Sequence, residues 1–455
     1  MLEPYDGKLS RTVLRGERGR NPSDLLVKQS HTFVFINFLY DKLGKIVVSN
    51  KQSDFEAFLE EAQQFLQPQT EFQFGFEDTT HYGRHLATFL INKGYSVRHV
   101  NAHHVTAERN SRNILQKTDE IDAECAARVL IHRFEGLPLA RNDERFFTIK
   151  MLTSKRRSAL KTKRSLMHQL HNIIFMHYPS YHRFFSKIDG KSSVAFYQTF
   201  PTPHTLKNTT LDELTTFFET FVPKTTAFKK ASIILTSVQN DGVTESTYQA
   251  NTDFIIQLIA SELQKTIEEI EIIENQLAEF LNHFNTPLLS MKGIDVVTAA
   301  GFIAEIGDIT RFKNAAALAR YAGIAPVTRA SGNSDVKYAS KQGNRQLNSL
   351  FFSLALSLTS PVGNTNLVLN PFFYDFYNRK RAEGKTVKQA LKSVSRRLVN
   401  IIYGMMKYGE DYLNPPTVYV DLDTGVILDS DGYDKLNENQ KIHIDKRIST
   451  IKPLA

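Results

Sequence analysis

Eight apolar side chains recur at steps of three or four residues within one long segment, 252–284. This spacing places them on one face of an α-helix, in a seam like that of a coiled coil. A seam of this length needs an equally long partner, and the helical pattern over 145–177 offers one in the same chain. We therefore expect a helical hairpin within a coiled-coil-like region over 141–286, with an intermolecular coiled coil as the alternative. The seam residues are Ile256, Ile259, Leu263, Ile267, Ile270, Ile273, Leu277 and Phe280.

Strand-like and helix-like segments alternate before this region, over about 30–135. The stretch HTFVFINFLY is rich in β-branched and aromatic residues, and the turn-forming DKLG separates it from KIVVSN, which predicts a β-hairpin. A helix, a strand that ends at Glu77, a helix that ends at Gly94 and another strand, YSVRHV, follow. This alternation predicts an α/β domain over 29–140.

The composition excludes several classes of protein. The chain has 455 residues, of which 41% are hydrophobic and 23% are charged, as in ordinary globular proteins. The sequence contains no apolar run of about 18 residues, which argues against a membrane span. Its single cysteine, Cys125, excludes an intramolecular disulfide and a multi-cysteine zinc site. The charged first residues do not resemble a secretory signal. A chain with one cysteine fits a reducing compartment, so we expect a cytoplasmic location.

Positive charge is concentrated in two zones of a chain whose formal net charge is +8. The segment 145–188 contains no acidic residue, and 379–397 holds eight basic residues against one Glu. Both zones are predicted to be helical. Solvated helix faces are one interpretation, but two such zones favour contact with the phosphate backbone of a nucleic acid. The first zone contains six closely spaced candidates: Lys155, Arg156, Arg157, Lys161, Lys163 and Arg164.

Two aspartates, Asp119 and Asp122, lie three residues apart in KTDEIDAECAARVL, at the predicted start of a helix. This spacing puts both carboxylates on one helix face, where they repel each other unless a cation lies near them. Acidic residues in the first turn also interact favourably with the helix dipole. The spacing alone leaves both a metal site and a simple helix start open.

From Pro287 the pattern changes to short helices separated by glycine-containing turns. The segment RASGNSD forms a loop between two helices that are rich in small residues, and the second basic zone follows it. We expect a mostly α-helical domain over 287–412. The remaining residues, 413–455, are acidic and β-like.

In order and spacing these segments resemble the insertion-sequence transposases of the IS110 family, which are guided by a noncoding bridge RNA and are related to Piv/MooV DNA invertases. KTDEIDA is close to the family's Lys-Thr-Asp-x-x-Asp-Ala signature. FGFEDTTHYGRHLATFLINKGYSVRHVNAHHV is similar to its Glu-bearing strand and the elements that follow. GIDVVTAAGFIAEIGDITRFKNAAALARYAGIAPVTRASG and KQGNRQLNSLFFSLAL resemble its second domain.

The resemblance implies a RuvC-like (RNase H-like) fold for 29–140, in which Glu77, Asp119 and Asp122 converge on Mg²⁺. That ion prefers carboxylate oxygens and stabilises the charge of a pentavalent phosphate. For 287–412 it implies a serine transposase domain whose nucleophile, Ser331, forms a covalent link to DNA. Arg329, two residues earlier, offers a positive charge that would neutralise the scissile phosphate.

Two further serines in the same loop, Ser334 and Ser340, remain alternatives as the nucleophile. The implied partners are double-stranded DNA (element ends and target), a noncoding bridge RNA, and further copies of the chain in a dimer or tetramer. The implied activities are DNA recombination and the transposition of a mobile element.

One departure from the family lies at the N-terminus. The family's first metal ligand is an Asp three residues before a Lys, and the matching position before Lys28 is Leu25. Asp24 lies one position away, which on a strand is the opposite face. We therefore expect residues 1–28 to be an atypical flexible lead-in, with Asp24 as the candidate for the fourth ligand.

Three hypotheses follow: an active transposase, a catalytically impaired relative that still binds nucleic acid, and a RuvC-like junction nuclease. The last one leaves the second domain without a role.

Overall fold

The structure, a computed structural model, describes residues 30–66, 70–77, 82–140, 143–243, 247–331, 334–338, 342–362, 367–415, 418–420 and 427–428. Within 328–341 and after 415 it describes only the backbone of the strands. The chain divides into two compact units, residues 1–144 and 145–455. Asp24 and the rest of the lead-in lie outside the described residues.

Unit 1 is an α/β arrangement, as the alternating pattern predicts. β1 and β2 pair antiparallel, while β3 and β4 pair parallel, so the described strands form two separate pairs. β3 is shorter than predicted and ends one residue before Glu77. Its elements are β1 (Ser30–Ile36), β2 (Lys42–Ser49), α1 (Phe55–Ala62), β3 (Gln73–Phe76), α2 (Arg84–Asn92), β4 (Ser96–His99), α3 (Ala102–Ser111) and α4 (Asp119–Arg133).

The inner faces of the strands of unit 1 pack on α1 and α2. Phe33 is paired with Ile46 across the β1–β2 hairpin, and its ring lies 4.6 Å from that of Phe58 on α1. Leu86 and Leu90 on α2 are fully buried in the same core. The predicted hairpin is thus confirmed, although its turn lies before Lys42 rather than within DKLG.

Unit 2 is mostly helical, as expected for the middle and C-terminal parts of the chain. Small strands interrupt the helices in its C-terminal half. Its elements are α5 (Glu144–His177), α6 (Lys191–Thr199), α7 (Leu211–Glu219), α8 (Lys224–Asp241), α9 (Gln249–Leu281), α10 (Val296–Ile306), α11 (Ala315–Tyr321), β5 (Val327–Ser331), β6 (Ser334–Tyr338), α12 (Arg345–Thr359), β7 (Leu367–Val368), α13 (Pro371–Ala382), α14 (Val387–Tyr408), β8 (Val418–Val420) and β9 (Ile427–Leu428).

The long helices α5 and α9 form the predicted antiparallel hairpin. Arg156 Nη2 contacts Glu274 Oε1 at 2.6 Å, and Arg145 Nη1 donates to the carbonyl of His283 at 2.9 Å, so the two helices run in opposite directions. Most of the predicted seam is buried inside this unit, and Leu263 and Leu277 are fully buried. The seam is therefore used within one chain.

The α5–α9 pair contributes residues to two hydrophobic cores, one near each end. Near the hairpin's open end, Ile149 and Leu277 belong to a core built by α10–α14. Near its other end, Leu170 and Leu263 belong to an aromatic-rich core built by α6, α7 and α8. The described residues of 178–250, a segment to which the sequence assigned no role, thus form a helical cap on the far end of the hairpin.

The second basic zone is not one helix. α13 ends at Ala382 and α14 begins at Val387, with Gly384 in a left-handed conformation between them. None of the helices in the described residues has both the length and the apolar character that crossing a membrane requires.

The two ends of the β5–β6 hairpin meet at a pair of glycines. Gly323 (φ +65°) lies just before β5, and Gly343 (φ +118°) follows β6. A Cβ atom on Gly343 would lie 2.5 Å from the Gly323 nitrogen and 2.7 Å from its Cα. The backbone of Asn344 also donates to the carbonyl of Tyr321 at 2.7 Å. Only glycine permits this approach, because any side chain would force the two segments apart.

Gly343→Ala is expected to lower the free energy of unfolding of unit 2 by about 2–3 kcal/mol, since it adds both a steric clash and left-handed strain. Urea unfolding of the full chain measures this. Gly404→Ala is the matched control: no atom lies within 4 Å of its added Cβ, and helix propensity predicts a gain of roughly 0.5–1 kcal/mol. Equal stability of the Gly343 variant and the parent would contradict the close crossing.

Candidate active site

Glu77 lies at the carboxyl end of the parallel β3–β4 pair. It follows Phe76 directly and is partly buried. The carbonyl of Phe76 accepts a hydrogen bond from the Val100 nitrogen at 2.8 Å, which fixes the strand end beside the end of β4. The predicted position of Glu77 at a strand end is thus correct within one residue.

The two predicted aspartates lie in the first turn of α4. Thr118 caps this helix, and its hydroxyl accepts from the Ile121 nitrogen at 3.2 Å. Asp119 is exposed, whereas the Asp122 side chain is only 18% exposed. Asp122 Oδ1 accepts from the Arg109 guanidinium of α3, and Lys117 Nζ lies 3.8 Å from Asp122 Oδ2.

Two glutamates that the sequence analysis did not single out also tie α4 to its neighbours. Glu120 binds both Lys42 and Lys45 of β2, and these hydrogen bonds lower the pKa of Glu120 to about 2. Burial disfavours ionisation of Glu124, but hydrogen bonds from Arg128 and Arg112 outweigh it and lower the pKa of that carboxyl. The acidic first half of α4 therefore has a structural role.

These residues do not assemble a metal site on their own. Their oxygen donors suit Mg²⁺, but no three His, Cys, Asp or Glu side chains in the described part of the chain are grouped so that they could hold a metal ion. Asp122 directs one carboxylate oxygen at Arg109 instead. Glu77, Asp119 and Asp122 as metal ligands, with Asp24 as the fourth, therefore remain a prediction.

Ser331 is the last residue of β5, and it is paired with Ser334 at the start of β6. Two residues join the strands at this end, so Ser331 lies next to the tip of the hairpin. Arg329 lies two residues earlier on the same strand and is paired with Val336. Ser340, the other alternative nucleophile, lies outside the described residues.

A polar cluster that the sequence analysis missed lies at the base of this hairpin. Glu305, near the end of α10, is 11% exposed. Its Oε1 accepts from Arg157 Nη2 at 3.2 Å, and its Oε2 accepts from Asn344 Nδ2 at 2.8 Å. The one available signal was an acidic residue within the otherwise apolar run GFIAEIGD.

Four of the six basic residues predicted to bind nucleic acid form ion pairs inside unit 2. Lys155 contacts Glu269 and Arg156 contacts Glu274, both at 2.6 Å. Arg157 contacts Glu305 at 3.2 Å, and Lys163 contacts Asp189 at 2.7 Å. The two others are exposed: Lys161 and Arg164.

Comparison with known proteins assigns both parts of the chain to one family. A family model described as a transposase, of the IS110 DEDD type, matches residues 26–179, and the model described as "Transposase IS116/IS110/IS902 family" matches residues 285–365. The chain belongs to the IS110/IS116 family of insertion-element transposases. The DEDD match implies a RuvC-like fold, with which the α/β arrangement of unit 1 agrees.

Relatives of this transposase come from insertion elements and from a DNA inversion system. It is 26% identical over 328 residues to the "Insertion element IS116 uncharacterized 44.8 kDa protein" of Streptomyces clavuligerus (71% of this chain, 79% of that protein). It is 36% identical over 163 residues to the "Insertion element IS110 uncharacterized 43.6 kDa protein" of Streptomyces coelicolor (35% and 38%). It is 31% identical over 134 residues to the "Pilin gene-inverting protein" of Moraxella bovis (29% and 39%).

The expected name "serine transposase domain" for 287–412 is wrong. The matching model is described by its insertion elements, IS116, IS110 and IS902, and it ends at residue 365. α13 and α14, which follow this match, nevertheless share one hydrophobic core with its helices. The name does not decide the role of Ser331.

The ion pair between Arg109 and Asp122 is expected to stabilise this transposase independently of any metal. A double-mutant cycle with Arg109→Met and Asp122→Asn should give a coupling free energy of about 1–2 kcal/mol, since both groups are largely buried. Asp119→Asn is the matched control and should change the free energy of unfolding by less than about 0.5 kcal/mol. Urea unfolding measures both, and a coupling near zero would contradict the structural role of Asp122.

Lys161 and Arg164 are expected to carry the contacts of α5 with DNA phosphates. Replacing both with Ala should reduce the log–log salt slope of duplex binding by about 1.8, at roughly 0.9 per phosphate. The control, Lys155→Ala with Arg156→Ala, removes the same charge from ion-paired positions and should mainly destabilise the α5–α9 hairpin. Fluorescence anisotropy over a salt series measures the slope, and equal slopes for the two variants would refute the assignment.

Proposed function

We propose that the chain is a DNA transposase that cuts and rejoins double-stranded DNA at the ends of an insertion element, with Ser331 as the nucleophile. The observation that carries this proposal is the position of Ser331 beside the tip of a hairpin, within the region that matches the family's second model. Hydrogen bonds from Asn344 to the Tyr321 carbonyl and to Glu305, at the base of this hairpin, support the strand that carries Ser331.

A serine nucleophile suits the cutting and rejoining of DNA, because the covalent ester conserves the energy of the broken phosphodiester bond. The Ser331 hydroxyl attacks a backbone phosphorus and loses its proton, a bond between that phosphorus and a DNA oxygen breaks, and the departing oxygen takes up a proton. The product is a phosphoserine ester. A hydroxyl of another DNA end then attacks this ester and releases the serine, so the strands are rejoined without an outside energy source. Arg329 on the same strand would neutralise the phosphate.

A divalent metal, Mg²⁺, belongs to this proposal through the DEDD type of the N-terminal match. Carboxylates of unit 1 would supply its ligands: Glu77, Asp119, Asp122 and Asp24. A Mg²⁺ ion would stabilise the additional negative charge of the phosphate during the reaction. Because the described residues do not group three such ligands, we assign no step of the reaction to the ion.

The proposed partners are double-stranded DNA, a noncoding bridge RNA that selects the sites, and further copies of the chain. The net charge of +8 favours polyanionic partners. Lys161 and Arg164 are exposed on α5 and offer two positive charges for contacts with phosphates. Both nucleic acids present the same backbone charge, so these residues serve either one.

A second candidate function is that of a catalytically impaired relative that binds nucleic acid without recombining it. The pairing of Asp122 with Arg109 favours this alternative, because it occupies an oxygen that a metal would need. The departure from the family pattern at Leu25 also favours it. The two candidates differ in whether a covalent intermediate forms.

Ser331→Ala is expected to abolish a covalent adduct between the protein and DNA while leaving DNA affinity within about threefold, because the change removes only the attacking oxygen. Incubation of the protein with Mg²⁺, labelled element-end DNA and guide RNA, followed by denaturing electrophoresis, detects the adduct. Ser334→Ala is the matched control, since Ser334 is paired with Ser331 across the hairpin. An adduct that persists in the Ser331 variant would refute this nucleophile, and no adduct from the parent chain would favour the impaired relative.

A further inference from the structure

The Glu305 carboxylate connects three helices at the base of the β5–β6 hairpin. Glu305 lies on α10, Arg157 on α5, and Asn344 immediately before α12. Each carboxylate oxygen of Glu305 has one donor, at 3.2 Å from Arg157 and 2.8 Å from Asn344. A largely buried carboxylate that loses one such donor is left with an unsatisfied charge, which is costly.

Asn344 uses both ends of its side-chain amide. Its Oδ1 accepts from the Gln346 and Leu347 nitrogens, both at 3.0 Å, and thereby caps α12. Because these two bonds require an acceptor, the amide orientation is fixed and Nδ2 must point at Glu305. Asn344 therefore joins the start of α12 to the end of α10.

Asn344 also holds the segment that follows β6 against the segment that precedes β5. The Asn344 nitrogen donates to the Tyr321 carbonyl at 2.7 Å, just before the segment that leads into β5. Asn348 Nδ2 donates to the carbonyls of Ala322 and Gly323, at 2.8 and 3.1 Å. The entry to β5 and the exit from β6 are thus held to one another and to α10 through Asn344.

We propose that Asn344 and Glu305 are positioning residues, which hold the base of the β5–β6 hairpin closed and thereby set the location of Ser331. This inference rests on the proposed function of Ser331. Neither residue needs to touch DNA. A misplacement of a reacting group by about 1 Å can reduce a rate on the order of a hundredfold, so a clamp at the base of the hairpin would control the rate of ester formation at Ser331.

Two variants that exchange charge between Asn344 and Glu305 test whether this contact holds the base of the hairpin. Asn344→Asp keeps the acceptor that caps α12, since Asp is a good N-cap residue, but it places a second carboxylate against Glu305. Adding Glu305→Gln restores a matched pair, because the Gln amide donates to the new carboxylate and its oxygen still accepts from Arg157. Asn314→Asp is the matched control: Asn314 caps α11 through the Ala317 nitrogen at 2.9 Å and is exposed.

Two measurements on the full chain separate positioning from general stability. Hydrogen exchange of the amides in β5 and β6 should become at least about tenfold faster in Asn344→Asp, and the double variant should return to within about threefold of the parent. The rate of adduct formation should fall about 10–100-fold in Asn344→Asp and recover in the double variant. DNA affinity should stay within about threefold in all variants, and Asn314→Asp should match the parent throughout.

Unchanged exchange in Asn344→Asp would overturn the inference, as would faster exchange with an unchanged rate of adduct formation. Failure of the double variant to recover either quantity would show that the charge contact is not the cause. If the parent chain forms no adduct that depends on Ser331, the proposed function fails. The exchange measurement alone then decides whether Asn344 and Glu305 hold the hairpin.

Discussion

Unit 2 depends on the antiparallel pairing of α5 and α9. Buried apolar residues of α9 and α5 belong to the same two hydrophobic cores, and the ion pairs Lys155–Glu269 and Arg156–Glu274 link the two helices directly. Neither helix could bury its apolar face alone, and about nine turns of each are aligned by this contact. Because one end of the pair enters the core of α10–α14 and the other end enters the core of α6–α8, a shift of register would disturb both cores.

The parts of this arrangement that follow a local period could be predicted from the sequence. Steps of three and four residues determine which face of α9 is buried, and Leu263 and Leu277 are indeed fully buried. The prediction that the helix over 145–177 is its partner was also correct, because the two helices have nearly equal lengths. The partners of the basic residues on α5 could not be predicted in the same way. Whether Arg156 meets a phosphate or Glu274 depends on a residue 118 positions away, and charge counting does not contain that information.

For the carboxylates of unit 1, the sequence likewise predicted their positions on strands and helices but not the residues that they contact. The positions of Glu77 after a strand and of Asp119 and Asp122 in the first turn of a helix followed from pattern and family signature. The partner of Asp122 did not, because Arg109 belongs to α3, whose sequence AHHVTAERNS buries only Val105. A helix with one buried residue has no apolar period to detect. Its contribution to unit 1 is made through charge, by Arg109 and by Arg112 directly after its end, which binds Glu124 at 2.9 Å.

The β5–β6 hairpin was expected only as a loop that carries Ser331, since the turn-forming residues of RASGNSD predict a reversal of the chain and no more. The base of the hairpin is held by the contact between Gly323 and Gly343 and by the largely buried carboxylate of Glu305. None of these residues belongs to RASGNSD, so that segment alone could not predict them. A nucleophile that forms an ester with DNA must hold its position while a large polyanion binds and the strands exchange. In the proposed reaction, the contacts of Glu305 with α5 and with the start of α12 would satisfy this requirement by supporting the base of the hairpin.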